Sequence, residues 1–317
     1  MEKLVSIITP CYNGESYIST FLNSILAQSY GNIELIIIDD GSTDQTAKII
    51  HSFKTKFLEK KYTLKYIYQK NSGQAAALNL GLKIFTGDYF TWPDSDDNLP
   101  KNSIKTRVEY LESHQEHAFI RSDAAFYDEK NPMKPLFLAT ENIKNKYRTD
   151  LFDELILEND AYVCNGAYLV KTSSFLSINP NRHIFPSRAG QNWQLLIPMA
   201  FHFSCGYIDQ VLYNITVRTQ SHSRELTLYS EKIKRYEAHQ EILLNIITNL
   251  DVNQEKYTNI ITNKYFKKKF QLACESKIKK DIYFYFKKIT KPSQSDIKLL
   301  IKTKFPFIQL LLNLKRG

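Results

Sequence analysis

The chain has few cysteines and no long apolar run, and each absence excludes a class of protein. None of its four cysteines is spaced as CxxC or CxxH, so neither a zinc site nor a disulfide framework is predicted. The longest apolar stretches fall far short of the ~20 residues that a membrane-spanning helix needs. No apolar segment with a small-residue cleavage site precedes the first predicted strand, so we expect a cytoplasmic protein.

Glycine-rich phosphate loops are absent as well. Neither GxxxxGK[ST] nor GxGxxG follows the first predicted strand, which argues against P-loop and dinucleotide-binding sites. A sugar-nucleotidyltransferase would need a glycine-rich loop with basic residues near the N-terminus, and that loop is missing too. Any nucleotide site in this chain must therefore be of another kind.

The net charge of +9 is concentrated in the last part of the chain. Residues 1–230 contain 23 Lys and Arg against 25 Asp and Glu, a net charge of −2, whereas residues 231–317 contain 19 against 8, a net charge of +11. This asymmetry, together with a helical pattern in the tail, predicts a near-neutral domain over residues 1–227 and a basic helical region over residues 228–317.

Lysines in the tail alternate with Ile, Leu, Phe and Tyr, as in residues 282–288. This pattern fits a helical appendage with a solvated basic face, and it also fits a surface that lies on anionic lipid, which we favour. Nucleic acid is not expected as a partner, because the rest of the chain has no matching groove signature. The tail therefore predicts a peripheral position at the inner face of a cell membrane.

Strand-like and helix-like segments alternate through the first hundred residues. The predicted strands are Val5–Thr9, Ile33–Ile38, Leu64–Tyr68 and Tyr89–Trp92. Apolar residues at helical spacing between them predict crossover helices, and Ser42 with Gln45 reads as a capping box for the helix after the second strand. The alternation predicts an α/β fold with a mainly parallel sheet flanked by helices.

Polar clusters follow three of these strands. They are Pro10–Asn13, Asp39–Asp40 and Asp94–Asp97. Because ligands bind beyond the carboxyl ends of strands in such sheets, we expect the clusters to converge on one edge. The carboxylates of Asp94, Asp96 and Asp97 could form a solvated turn, or they could hold Mg²⁺ or Mn²⁺, which prefer oxygen ligands.

The order of these motifs resembles the family-2 glycosyltransferases. The segments that carry the resemblance are VSIITPCYNGESYI, IELIIIDDGSTDQT, NSGQAAALNLGL and GDYFTWPDSDDNLP. The resemblance is strong over roughly residues 4–110 and weaker over about 160–224. It implies a GT-A, Rossmann-like fold and an inverting hexosyl- or N-acetylhexosaminyl-transferase that uses a nucleotide-sugar donor, expected to be a UDP-sugar.

The resemblance also implies site residues. Pro10, Tyr12, Asn13 and Glu15 match the loop on the base and ribose, and Asp40, assisted by Asp39, matches the acceptor for the uracil N–H. The other implied donor contacts are Asn71, Gln74, Asp94 and Ser95. Asp96, Asp97 and His222 are the implied ligands or neighbours of a Mn²⁺ or Mg²⁺ ion that bridges the diphosphate.

One departure concerns the catalytic base. Where the family places a Glu-Asp pair at a helix start, this chain has Gln191 and Asn192, and amides cannot accept the proton of an acceptor hydroxyl. Another carboxylate or His222 could supply the base instead, and two hypotheses for the function remain open. In the favoured one, the chain is an active enzyme that builds surface polysaccharide on a glycan or lipid-linked acceptor, and both amides hold hydroxyl groups. In the other, it is a catalytically silent binding or assembly subunit.

Overall fold

A computed structural model describes residues 2–162, 164–187, 190–218 and 228–304. The chain forms two compact units, Met1–Ser221 (unit 1) and His222–Gly317 (unit 2). The domain boundary expected between residues 227 and 228 stays a prediction.

Unit 1 is built around a mixed sheet. Its strands are β1 (Val5–Cys11), β2 (Ile33–Asp39), β3 (Thr63–Tyr68), β4 (Tyr89–Thr91), β5 (His117–Asp128), β6 (Asn131–Leu138), β7 (Tyr168–Lys171) and β8 (Ser204–Val217). They pair in the order β3-β2-β1-β4-β7-β5-β6, and β8 pairs with β5. The first four strands are parallel, β8 is parallel to β5, and β6 and β7 are antiparallel to their neighbours. The predicted α/β class is confirmed.

Helices connect and cover these strands. They are α1 (Ile18–Leu26), α2 (Thr46–Ser52), α3 (Lys54–Glu59), α4 (Gln74–Ile84), α5 (Ser103–Ser113), α6 (Phe152–Leu157), α7 (Thr172–Ile178) and α8 (Gln191–His202). Four apolar residues of α1 recur at helical spacing and are buried, namely Ile18, Phe21, Leu22 and Ile25, while every residue of β2 is buried. Both patterns follow from a parallel sheet that is covered on its two faces.

The helix after β2 does not use the predicted capping box. It begins at Thr46 without a side-chain cap, and the Ser42 hydroxyl instead accepts a hydrogen bond from the Asn13 N–H at 2.9 Å. The prediction for Ser42 and Gln45 is therefore wrong, because the hydroxyl pairs with a loop 29 residues away.

Hydrogen bonds to one buried carboxylate connect β1, β2 and the edge strand β3. Glu34 in β2 is buried and accepts hydrogen bonds from Lys65, Ser6 and Thr86. Burial alone would raise the pKa of Glu34, but these hydrogen bonds outweigh it and hold the pKa below its ordinary value.

Unit 2 is helical over its described residues. Its helices are α9 (Tyr229–Thr248), α10 (Gln254–Glu275), α11 (Lys279–Lys288) and α12 (Gln294–Lys304). Helix α10 packs against the other three, and a small apolar core forms around Phe270, Ile282 and Tyr285. Across the described part of both units, no helix combines the length and the apolar character needed to cross a bilayer.

Candidate functional site

The loops after β1 and β2 are locked to each other. Asn13 donates its N–H to Ser42 Oγ at 2.9 Å, and its side-chain oxygen accepts from the Thr43 N–H at 2.9 Å. Glu15 makes the same exchange with residues 44–45, donating its N–H at 3.0 Å and accepting through its carboxylate at 3.0 Å. Asn13 has a φ of 47°, a left-handed conformation that asparagine tolerates better than most residues.

The loop after β1, which we call the first loop, contains expected donor-site residues of two kinds. Asn13 and Glu15 use their side chains to hold the facing loop, whereas Tyr12 leaves 40% of its surface exposed at the edge of the sheet. Pro10, at the end of β1, is partly exposed, and Asn71, after β3, is exposed. Their contacts with a nucleotide stay predictions.

Asp40 closes the turn that leads into α4. Its carboxylate is buried and accepts hydrogen bonds from the Gln69 side chain at 2.6 Å, the Ser72 N–H at 2.8 Å and the Gly73 N–H at 2.9 Å. A carboxylate offers about four acceptor positions, so one position remains for a ligand N–H. The neighbouring Asp39 is also buried, and its carboxylate accepts hydrogen bonds from the Ser42 N–H at 2.8 Å and from the Tyr66 hydroxyl of β3 at 2.7 Å.

Asp94 lies between two amide side chains from different parts of the fold. Gln74, at the start of α4, donates to one carboxylate oxygen at 2.9 Å, and Asn165 donates to the other at 2.6 Å. The turn closed by Asp40 runs directly into Gln74, so one chain of hydrogen bonds joins the ends of β2, β4 and the segment before β7. The predicted convergence of the Asp40 and Asp94 regions is observed.

Three carboxylates crowd together after β4. One oxygen from each of Asp94, Asp96 and Asp97 lies within 4.8 Å of the other two, and we call this group the acidic triad. Burial and the adjacent Asp96 carboxylate raise the pKa of Asp94 to about 7, and burial with both neighbouring carboxylates raises the pKa of Asp97 well above its ordinary value. Oxygen ligands that repel one another in this way fit a hard divalent ion.

Tyr213 of β8 makes hydrogen bonds to two residues of the acidic triad. Its hydroxyl accepts from the Asp94 N–H at 3.1 Å and donates to Asp97 Oδ2 at 2.9 Å, while the Thr216 N–H donates to Asp97 Oδ1 at 2.9 Å. Ser95 is buried between these aspartates. Strand β8 thereby holds the Asp97 carboxylate and the backbone of Asp94.

Gly166 lets the Tyr213 ring approach the backbone. It has a φ of +73°, and a Cβ placed there would lie 2.4 Å from Tyr213 Cε2 and 2.8 Å from Pro93 Cβ. The Gly166 carbonyl accepts from the buried guanidinium of Arg107 at 2.6 Å, which also binds the Leu212 carbonyl at 2.7 Å. Arg107 therefore joins the turn before β7 to β8.

Asp96 accepts a hydrogen bond from a positively charged side chain, Arg218. The Arg218 guanidinium donates to Asp96 Oδ2, and its central carbon lies 4.0 Å from the centre of the Tyr17 ring. Tyr17 in turn donates its hydroxyl to the Tyr12 carbonyl at 3.0 Å. The acidic triad and the first loop are thus linked through an arginine.

Of the two amides at the start of α8, Asn192 contacts the segment that follows β4. Asn192 accepts hydrogen bonds from the buried Trp92 indole N–H at 2.8 Å and from the Tyr168 hydroxyl at 3.1 Å. Gln191 is buried and donates weakly to the Ser187 carbonyl at 3.5 Å. Asn192 therefore contacts Trp92, which follows β4 and precedes Asp94 by two residues. Its amide oxygen is used by these two internal hydrogen bonds, so a ligand could be bound only through its NH₂ group.

No motif in the neighbouring sequence identifies some of the site residues, and one expected site residue lies outside the described part of the chain. Tyr213 and Arg218 are more than 110 residues from the acidic triad and look like ordinary strand and loop positions in the sequence. Asn165 falls in a segment whose pattern also fits a buried strand. His222, an expected metal neighbour, is not among the described residues.

Comparison with protein families gives a match over most of unit 1. The model described as Glycosyl transferase family 2 matches residues 6–215. An uncharacterised glycosyltransferase of Haemophilus influenzae is 44% identical over 108 residues, which cover 34% of this chain and 42% of that protein. The glycosyltransferase GlyA of Streptococcus pneumoniae serotype 4 is 35% identical over 134 residues, or 40% of this chain and 19% of GlyA. The matched segments thus span less than half of these relatives.

Solved structures share the fold at low sequence identity. The structure of residues 1–349 of TarS from S. aureus, in complex with UDP-GlcNAc, has a TM-score of 0.64 and 21% identity, covering 96% of this chain and 81% of that one. The mannosyltransferase PcManGT from Pyrobaculum calidifontis, in complex with GDP-Man and Mn²⁺, has a TM-score of 0.52 and 14% identity, covering 96% and 86%. These likenesses confirm the GT-A type of fold.

Proposed function

The chain belongs to glycosyl transferase family 2, and we propose that it transfers a sugar from a UDP-sugar to a glycan or lipid-linked acceptor in surface polysaccharide synthesis. The observation that carries the proposal is the continuous set of hydrogen bonds from Asp40 through Gln74 to Asp94, next to the acidic triad. It supports a base-binding carboxylate and a charged diphosphate site on one edge of the sheet.

The acidic triad supports a divalent ion, Mn²⁺ or Mg²⁺. Asp96, at the more exposed side of the group, would be the principal ligand, with Asp94 beside it; Asp97 is held by Tyr213 and Thr216 and would orient the turn. Such an ion, when bound, supplies positive charge for the diphosphate that leaves. Asp40 offers its remaining acceptor position to the uracil N–H, and Pro10, Tyr12, Asn71 and Ser95 border the nucleoside and diphosphate.

Calorimetry of UDP binding, with and without Mn²⁺, tests the donor proposal. Asp96→Asn should weaken Mn²⁺-dependent UDP binding by about tenfold or more, the size of effect that even outer partners of metal ligands have. Glu109→Gln is the matched control, because it also replaces one carboxylate with an amide, in an exposed ion pair with Lys105 on α5. Equal UDP affinity of Asp96→Asn and the wild type in Mn²⁺ would refute the metal assignment. UDP-GlcNAc is the first donor to test, since TarS binds it.

The acceptor side supports hydrogen-bond positioning by amides. With its oxygen held by Trp92 and Tyr168, Asn192 can only donate to a substrate hydroxyl, so it orients an acceptor or donor sugar and does not accept a proton. Gln191→Ala and Asn192→Ala should lower transfer while UDP affinity changes little. We propose inverting transfer of a hexosyl or N-acetylhexosaminyl group, in line with the family resemblance.

A silent GT-A protein is the second candidate, and the same two amides favour it. Purified protein with UDP-sugars and a panel of glycan acceptors separates the candidates. Release of UDP or transfer of sugar that disappears in Asp96→Asn supports the enzyme. Tight UDP-sugar binding with neither hydrolysis nor transfer supports the binding subunit.

The surface of α11 and α12 supports a location at an anionic membrane. Every lysine between residues 276 and 304 is exposed. The two acidic residues in this range, Asp281 and Asp296, are not. Asp281 accepts a hydrogen bond from the Tyr229 hydroxyl, and Asp296 is buried against Ser293. Exposed apolar side chains lie among the lysines: Ile278, Tyr283, Phe284, Ile297 and Ile301. Each lysine near the headgroups of anionic lipid contributes about 1 kcal/mol.

Flotation with vesicles tests this location. Binding to vesicles with phosphatidylglycerol should exceed binding to neutral vesicles and should fall when four lysines of α11 are changed to glutamine. These are Lys279, Lys280, Lys287 and Lys288. Changing four exposed lysines of unit 1 is the charge-matched control, and they are Lys48, Lys54, Lys60 and Lys83. Equal recovery with both kinds of vesicle, or an equal loss in both variants, would contradict a lipid surface in unit 2.

A further inference from the structure

Arg218 is placed as a counterion for one member of the acidic triad. Its guanidinium donates to Asp96 Oδ2 and lies against the face of the Tyr17 ring, whose centre is 4.0 Å from the guanidinium carbon. The arginine side chain is 16% exposed and the aspartate side chain 31%. A guanidinium between a carboxylate and an aromatic face is attracted by both, and it keeps its proton at any physiological pH.

The rest of the acidic triad has neutral partners. Asp94 accepts from the amides of Gln74 and Asn165, and Asp97 accepts from the Tyr213 hydroxyl and the Thr216 N–H. Among the ion pairs of the described residues, only the one with Arg218 reaches the triad. The three carboxylates of the acidic triad are therefore accompanied by one positive charge, that of Arg218. It is bound to Asp96, the carboxylate most open to solvent.

We propose that Arg218 is a built-in cation that competes with the divalent ion for Asp96, so that the arginine and the metal exchange at this carboxylate. The inference rests on the proposed function, because it concerns the same ion. Mg²⁺ binds oxygen ligands at about 2.0–2.1 Å, and Mn²⁺ also takes carboxylate oxygens. A guanidinium that already donates to Asp96 Oδ2 competes for this oxygen and repels the incoming positive charge.

The exchange has a consequence for the order of binding. Without nucleotide, the ion has to displace Arg218 and leave it with no new carboxylate, so metal binding is weak. With a nucleoside diphosphate, the displaced guanidinium gains phosphate oxygens, which bind arginine well. Metal and diphosphate then favour each other, and Arg218 contributes to that coupling.

Titration of free Mn²⁺, followed by its electron paramagnetic resonance signal without nucleotide, tests the exchange independently of activity. Arg218→Met should bind Mn²⁺ about tenfold more tightly than the wild type, which corresponds to about 1.4 kcal/mol. Arg218→Lys retains the charge and should stay close to the wild type. Lys105→Met removes one positive charge from an exposed pair on α5 and should leave Mn²⁺ affinity unchanged. Tyr17→Leu, which removes the aromatic support of the guanidinium, should shift the affinity in the same direction as Arg218→Met.

The possible results separate the exchange from the proposed function. Equal Mn²⁺ affinity of Arg218→Met, Tyr17→Leu and the wild type would overturn the exchange. A wild type that binds a UDP-sugar but no Mn²⁺, with UDP binding lost in Arg218→Met, would also overturn it, because Arg218 would then serve in place of a metal in a working donor site. A wild type that binds neither Mn²⁺ nor any UDP-sugar would overturn the proposed function itself.

Discussion

Gly166→Ala tests how firmly Tyr213 positions the acidic triad. The added methyl group would lie 2.4 Å from the Tyr213 ring and 2.8 Å from Pro93, at a residue whose φ is +73°. Holding alanine in the left-handed region costs about 1–2 kcal/mol. Forcing an extra methyl group into a filled core costs about 1–3 kcal/mol. The expected loss of unfolding free energy is therefore about 2–5 kcal/mol, which lowers the Tm of a unit of this size by roughly 4–20 °C.

Tryptophan fluorescence during thermal unfolding measures this loss, because both tryptophans of the chain, Trp92 and Trp193, lie in unit 1. Gly31→Ala is the matched control. Gly31 is exposed, and a Cβ there would lie 2.6 Å from the exposed Glu2 carboxylate, which accepts a hydrogen bond from the Gly31 N–H at 2.9 Å. Even if this hydrogen bond is lost, the expected change is at most about 1 kcal/mol. A Tm of Gly166→Ala within a degree of the wild type would refute the packing argument.

Mn²⁺ affinity provides a second, separate readout of the same variant. A displaced Tyr213 ring would pull on Asp94 and Asp97, so Gly166→Ala should also bind Mn²⁺ more weakly in the presence of UDP. Reduced stability with unchanged Mn²⁺ affinity would mean that Tyr213 fills space without positioning the carboxylates.

Two further substitutions test buried polar groups. Asn192→Ala should lower the unfolding free energy by about 1–3 kcal/mol in urea titrations, since it leaves the Trp92 N–H and Tyr168 O–H without their acceptor; unchanged stability would contradict that pairing. Glu34→Gln weakens the ion pair with Lys65 and should also cost about 1–3 kcal/mol at pH 7. Because the pKa of Glu34 is lower in the folded than in the unfolded chain, its contribution is complete above pH 4.5 and is lost as the pH falls through the folded-state value. The difference between Glu34→Gln and the wild type should therefore shrink between pH 7 and pH 3, and a constant difference would argue against an ionised Glu34.

The fold of the first hundred residues could be predicted because its signals are local. The run Ile33–Ile38 is apolar except at Glu34, and the strand observed there, Ile33–Asp39, is buried throughout. The same logic failed at Ser42, where a short motif matched a helix cap. The hydroxyl instead found a partner on the facing loop, and a motif of four residues contains no information about that loop.

The site could be predicted only as far as its residues are close in the sequence. The acidic triad stands out because three carboxylates fall within four positions. Tyr213 does not stand out, because it reaches the acidic triad through long-range pairing of the 14-residue strand β8 with β5 and with Asn98. Arg218 is similarly invisible, since an arginine after a strand predicts no partner.

The interlocked loops after β1 and β2 have a thermodynamic consequence for any nucleotide that binds there. Fixing the backbone of one residue removes conformational entropy equivalent to about 1–2 kcal/mol. The hydrogen bonds of Asn13 and Glu15 already restrict both loops when unit 1 folds. Nucleotide binding therefore does not reduce the conformational entropy of these loops further. A substitution that breaks these bonds should therefore weaken nucleotide binding through a less favourable entropy, even when every group that contacts the nucleotide is still present.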